Sequence, residues 1–186
     1  MAKVLVITSS YRKNSNSTLL AGEVAKGAAE AGHDVQTVDI ARLRIEPCRG
    51  CDSCHTPKSK GCVVKDDMQA LFPLISGADV LVLASPVYWF NFCGQLKQCI
   101  DRCYSITSGP NQERLFAEKK IAAVLSYGDD DVFNSGGVNA LRSFQDICAF
   151  TGAEWAGAVY GSAMEPGKIA ENEHLLQEAR ELGRRM

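Results

Sequence analysis

No apolar run in this 186-residue chain approaches the roughly 20 residues needed to span a bilayer, so no transmembrane helix is expected. The opening Met1-Ala2-Lys3-Val4-Leu5-Val6 has no long h-region and no small-residue cleavage site. A secretory leader is therefore not expected, and the expected location is cytoplasmic. Neither charge dominates: 20 Lys and Arg against 22 Asp and Glu leave a net charge of −2. That balance lacks the basic footprint that nucleic acid or an anionic membrane would select, so neither is expected as a partner. Histidines are scarce, at positions 33, 55 and 174, and no acid, base or nucleophile is assigned as catalytic. GxGxxG and GxxxxGK[ST] are both missing, so a dinucleotide Rossmann loop and a P-loop NTPase are unsupported. Proline is sparse too, at 6, and no linker divides the chain, so one domain over 1–186 is expected. What the chain has in excess is cysteine, at positions 48, 51, 54, 62, 93, 99, 103 and 148. At this length a core holds without staples, and without a leader a disulfide framework is the weaker reading of those thiols.

Strand and helix patterns alternate from end to end. Short β-branched runs at Lys3–Thr8, Val35–Ile40, Asp79–Ala84, Ile121–Tyr127 and Glu154–Tyr160 read as strands. Helical spacing marks 19–32, a segment opening at Asp66-Asp67 with Pro73 inside it, Gly94–Tyr104, Val138–Phe150 and Lys168–Arg185. Residues 42–64 carry cysteines without periodicity and read as a functional loop. Strands alternating with helices predict a parallel sheet covered on both faces, with ligands at the carboxyl ends of the strands.

The loop after the first strand, Ser9-Ser10-Tyr11-Arg12-Lys13-Asn14-Ser15-Asn16-Ser17-Thr18, holds seven Ser, Thr or Asn side chains and two cations ahead of a helix start. Helix capping needs one such residue; seven suit a phosphate cradle. After the third strand, Ser85-Pro86-Val87-Tyr88-Trp89-Phe90-Asn91 brings three consecutive aromatics, which can stack on a planar ring or pack a helix. Ser126-Tyr127-Gly128 follows the fourth strand, and the adjoining Asp129–Asp131 run reads as a solvated turn.

On these residues the chain resembles the flavodoxin-like NAD(P)H-dependent FMN reductases, whose phosphate loop reads Gly/Ser-Ser-Pro-Arg-x-x-Gly/Ser-Asn-Thr. Here Tyr11 stands for the usual Pro and Ser17 for the usual Thr. The resemblance implies a three-layer sandwich with a five-stranded sheet in the order 2-1-3-4-5. It implies FMN phosphate near Ser9, Ser10, Arg12, Ser15, Asn16 and Ser17. Pro86, Val87, Tyr88, Trp89, Phe90 and Asn91 would meet the ring and ribityl chain, with Ser126, Tyr127 and Gly128 as a third contact. A homodimer or homotetramer is also implied.

Cys48-x2-Cys51-x2-Cys54-x7-Cys62 places three thiols within seven residues and a fourth nearby, which suits a small inorganic cluster better than the paired spacing of structural zinc. His55, beside Cys54, reads as solvated. The run is similar to the CX2CX2CX4-7C motif of the iron-sulfur flavoproteins, a branch of the same family, and that likeness implies a [4Fe-4S] cluster on Cys48, Cys51, Cys54 and Cys62. Free or disulfide-forming thiols are the other reading. Cys93, Cys99, Cys103 and Cys148 fall on apolar stripes and read as core.

The expected activity is transfer of electrons from NAD(P)H through FMN to a small-molecule or protein acceptor. The alternative is an iron-sulfur flavoprotein carrier that accepts electrons from ferredoxin without a nicotinamide. A third, a zinc or thiol sensor on a flavodoxin shell, would be colourless.

Overall fold

The computed structural model describes residues 1–107 and 116–186. Five long strands, β1 (Lys3–Thr8), β2 (Asp34–Asp39), β3 (Val80–Tyr88), β5 (Lys120–Tyr127) and β6 (Glu154–Ser162), form a parallel sheet in the order β2-β1-β3-β5-β6. A sixth, β4 (Asn91–Phe92), folds back antiparallel on the end of β3. The helices are α1 (Asn16–Glu30), α2 (Met68–Gly77), α3 (Gly94–Arg102), α4 (Tyr104–Thr107), α5 (Gly137–Thr151) and α6 (Glu173–Arg184).

Alternation along the strands sorts the core into two layers. Val4, Val6, Val80, Val82, Ala84, Ala122 and Val124 meet α1 and α6 through Leu20, Val24, Ala28, Leu175 and Ala179. On the other face Leu5, Ile7, Leu81, Leu83, Ile121 and Leu125 meet α2, α3 and α5 through Met68, Leu71, Leu96 and Phe144. Side chains toward α1 and α6 are smaller, and those two helices lie close to each other. A Cβ on Gly27 would stand 1.9 Å from the Arg180 carbonyl oxygen, and one on Gly183 would stand 2.1 Å from that of Val24. Arg180 to Glu23 and Arg184 to Glu30, each at 2.6 Å, line the rim of this seam.

Several expectations shift in detail. The third strand does not end at Ala84. Ser85 and Pro86 continue the ladder opposite Leu125 and Ser126, and Val87 and Tyr88 pair with Phe92 and Asn91, so residues read as a loop are strand and hairpin. That hairpin is the sixth strand, which two residues are too short to announce by periodicity. The helix expected over Gly94–Tyr104 ends at Arg102 and gives way to α4. The last helix begins at Glu173, because Asn172 caps it by accepting from the Leu175 N–H at 3.0 Å. Pro73 sits within α2 without ending it. No described helix is long and apolar enough to cross a membrane.

Candidate functional site

The carboxyl ends of β1, β3, β5 and β6 surround one cavity of about 240 Å³. From the first loop come Ser10, Arg12, Ser15 and Asn16; from the end of β3, Pro86, Val87 and Tyr88; from the end of β5, Ser126, Tyr127 and Gly128. Segments more than a hundred residues apart in sequence thus converge at the point where the chain winds outward from β1 in both directions, which is where such sheets bind ligands.

The first loop is built for an anion. Ser10, Ser15, Asn16 and Ser17 are buried, yet Ser15 at the N-cap of α1 makes no side-chain capping bond. Its hydroxyl meets that of Ser17 at 3.1 Å instead. The first-turn N–H groups of α1 have no carbonyl of their own helix to donate to, and the helix dipole adds positive potential there. Ser10 Oγ accepts from the Arg12 N–H, and the Arg12 guanidinium lies across to the Met164 carbonyl at 3.4 Å. This cradle suits a phosphate group, and Pro86, Val87, Tyr88 and Gly128 wall the remainder of the cavity.

Not every expected residue faces the cavity. Ser9 turns inward, donating to the Ala84 carbonyl at 2.7 Å, and Cys93 Sγ packs on it at 3.1 Å. Asn16 does line the cavity, but its side-chain hydrogen bonds go elsewhere: the amide donates to the Ala163 and Glu165 carbonyls and the oxygen accepts from the Ile169 N–H, so the side chain anchors the loop after β6. That loop supplies Ala163, Met164 and Pro166 to the cavity, residues the sequence reading missed. The rule that ligands sit at strand carboxyl ends applies to the fifth long strand as well, and Met164-Glu165-Pro166-Gly167 was the signal.

Trp89, Phe90 and Asn91 lie on the hairpin beyond the cavity wall. Trp89 and Phe90 are the two central residues between paired Tyr88 and Asn91, and both have positive φ, 47° and 65°. A two-residue turn of this kind is ordinarily Asn-Gly, because bulky side chains are disfavoured there. Gly136 packs beneath it, where a Cβ would come within 2.4 Å of Phe90 Cα, and the Asn139 amide holds the Phe90 carbonyl at 3.2 Å. The strained turn thrusts out Trp89, which is 93% exposed, and Phe90, 54% exposed. Replacing the pair together, Trp89→Asn with Phe90→Gly, should stabilise the isolated chain by about 1–2 kcal/mol, read from urea unfolding. An unchanged or lower midpoint would mean the turn is not strained.

The cysteine loop lies at the far end of α3. Cys48, Cys51, Cys54 and Cys62 line one small cavity of about 20 Å³ together with Arg102 and Tyr104. All four are free thiols. Hydrogen bonding from Ser53 holds the Cys51 thiol below its usual value, whereas burial pushes Cys54 up, with neighbouring Cys62, Cys51 and Cys48 adding to the shift. Among the described residues no group of three or more His, Cys, Asp or Glu side chains is arranged to hold a metal ion. His55 is not simply solvated: its ring stacks on Tyr104 at 4.1 Å, and Nε2 lies 3.2 Å from the Tyr104 carbonyl. Cys93, Cys99 and Cys148 are buried and Cys103 partly so.

Both ends of the loop are tied to a buried ion pair. Asp66 Oδ2 lies 2.6 Å from Arg102 Nη1 and accepts from the Glu46 N–H at 2.7 Å, and Oδ1 accepts from the Met68 N–H. Arg102 also donates to the Glu46 carbonyl at 2.8 Å and to that of Val64 at 3.4 Å. Burial raises the Asp66 carboxyl, but Arg102 and the two N–H groups outweigh it and hold the group below its usual value. Asp66 was legible only as a helix start, because its partner lies 36 residues away.

A doubly wound parallel sheet with an uncapped helix N-terminus and a cavity at its switch point is a flavodoxin-like fold with a site open to a phosphorylated ligand. The chain belongs to the NADPH-dependent FMN reductase family, whose model matches residues 2–164. It is 30% identical over 144 residues to an iron-sulfur flavoprotein of Methanosarcina thermophila, covering 77% of this chain and 71% of that one. To iron-sulfur flavoprotein MJ1083 of Methanocaldococcus jannaschii it is 27% identical over 195 residues, covering 99% and 95%. The fold is similar to that of the NAD(P)H:quinone oxidoreductase from Methanothermobacter marburgensis, with TM-score 0.75, 22% identity, and coverage of 98% and 96%.

Proposed function

We propose that the protein carries electrons from NAD(P)H through FMN to a small-molecule or protein acceptor, with a [4Fe-4S] cluster on Cys48, Cys51, Cys54 and Cys62 as a second redox centre. The observation that carries the flavin part is the convergence of Ser10, Arg12, Ser15, Pro86–Tyr88 and Ser126–Gly128 on one cavity. FMN bound there supplies hydride acceptance and onward electron transfer. The protein's share would be to neutralise the phosphate with Arg12 and the α1 N-terminus and to wall the ring with Pro86–Tyr88 and Gly128. Burial raises the Tyr127 phenol, so it stays a neutral hydrogen-bond donor at the cavity wall.

The cluster reading is supported by four thiols on a shared cavity wall beside a buried guanidinium, a donor set that suits four-thiolate ligation. Because no three stand in ligating positions, assembly has to draw the loop inward. α3 connects the two centres, starting where Cys93 touches Ser9 and ending at Arg102, about 13 Å along its axis. A second copy of the chain over the exposed Trp89 and Phe90 would complete the flavin's surroundings in a homodimer or homotetramer.

The deciding experiment is anaerobic. Protein isolated without oxygen should contain FMN, iron and sulfide, and NADH or NADPH should bleach the flavin rapidly. Single changes of Cys48, Cys51, Cys54 and Cys62 to Ala should remove iron and sulfide and leave FMN bound. No bleaching by either nucleotide, with rapid reduction by ferredoxin, would instead make the protein a carrier. Cluster absorbance surviving all four changes would refute the ligand assignment.

A further inference from the structure

Arg102 is a fully buried guanidinium with five N–H donors to satisfy. Nη1 donates to Asp66 Oδ2 and to the Glu46 carbonyl. Nη2 donates to Asp66 Oδ1 and to the Val64 carbonyl. The Phe72 ring covers one face, 5.9 Å from the guanidinium carbon. Nε alone has no partner, and it is the one buried side-chain nitrogen or oxygen among the described residues in that position. A buried N–H left unpaired costs about 1–3 kcal/mol, more for a charged group, so an acceptor is to be sought nearby. The cavity that Arg102 helps to wall is lined by sulfur, and Cys62 shares that wall and lies two residues from Val64, whose carbonyl Arg102 holds.

We propose that Arg102 is a positioning and potential-setting residue of the cysteine loop, its Nε–H donating to Cys62 Sγ when that sulfur is a cluster ligand. This rests on the cluster reading above. Four donors of Arg102 hold the two ends of the loop, at Glu46 and at Val64 with Asp66, and the fifth is reserved for the ligand. An N–H···S bond draws electron density from a ligand sulfur, and a fixed positive charge favours the more negative, reduced cluster. Both raise its reduction potential, as hydrogen bonds to cluster sulfurs do in general. Lysine at this position keeps a charge but cannot hold the Asp66 fork and reach Cys62 at once.

The test compares anaerobically prepared wild-type protein with Arg102→Lys, measuring iron and sulfide content and the midpoint potentials of cluster and FMN separately. The expected variant retains iron, sulfide and FMN. Its flavin potential is unmoved, and its cluster is about tenfold harder to reduce, about 59 mV for one electron. A fully loaded variant with an unmoved cluster potential overturns the hydrogen bond. If the variant loses its cluster, wild-type protein grown with 15N-labelled arginine decides: pulsed electron paramagnetic resonance of the reduced cluster should show a 15N coupling. Its absence assigns Arg102 to loop support alone and overturns the proposal. Wild-type protein that binds FMN but no iron or sulfide refutes the cluster reading itself, and this inference with it.

Discussion

Changing Asp66 to Ala should remove about 3–5 kcal/mol of folding stability, the range for breaking a fully buried ion pair from one side. The loss comes less from the missing attraction than from what stays behind. Arg102 would keep a buried charge with no carboxylate, and the Glu46 and Met68 N–H groups would lose their acceptor. Those groups fix both ends of the cysteine loop, so under the proposed cluster ligation iron and sulfide should be lost along with stability, while FMN binding at the proposed cavity beyond the start of α3 should persist. Urea unfolding followed by circular dichroism measures the first part, and a loss below about 1 kcal/mol would contradict it. Asp66→Asn keeps the shape and part of the hydrogen bonding and should fall between the two. The difference between wild type and Asp66→Asn should also depend on pH. The folded carboxyl titrates below its unfolded value, so its contribution is complete above about pH 4 and disappears as the pH falls through the folded value. A gap that widened in acid would have the wrong sign.

The second large effect is expected from a single methyl group. Gly27→Ala in the middle of α1 would ordinarily add about 0.5–1 kcal/mol, since alanine is the better helix former. Here the methyl would stand 1.9 Å from a main-chain carbonyl oxygen of α6, which cannot rotate away as a side chain can. The helices must separate, opening a seam buried among Val24, Ala28, Ala179 and Leu182. Overpacking that shifts backbone typically costs about 1–3 kcal/mol, and a clash with main chain belongs at the upper end, about 3 kcal/mol. At about 2–4 °C per kcal/mol for a chain of this size, the melting temperature should fall by about 6–12 °C. Moving α1 also tilts the N-terminus that forms the anion cradle, so the thermal shift produced by added FMN should shrink. A variant as stable as wild type would show that α1 and α6 are not in close contact.

The strand and helix order was legible because each signal is local. Lys3–Thr8 and Asp79–Ala84 read as buried strands from apolar content alone, and the serine-rich loop between Ile7 and Leu19 read as a phosphate cradle from composition and place. The Cys48–Cys62 spacing was local as well. Apart from the loop at Met164–Gly167, the features that were missed depend on distant partners. Nothing near Asn16 shows that its side chain binds the turn at residues 163–169. Tyr88-Trp89-Phe90-Asn91 contains no glycine, so no turn signal marked a hairpin whose strain is sustained by Gly136 and Asn139, almost fifty residues on.

By itself, then, the sequence determined which segments are strands of a parallel sheet and which loops carry the hydroxyl-rich and thiol chemistry, since alternation, composition and spacing act within a few residues. Tertiary structure decided how those chemistries are arranged. It brought four strand ends to one cavity, turned Ser9 away from it, committed the Asn16 amide to the loop after β6, and set Arg102 beside the cysteines with one donor left over. Such choices follow from which backbones come close enough to exclude water and satisfy each other's polar groups, and only the packed chain establishes that.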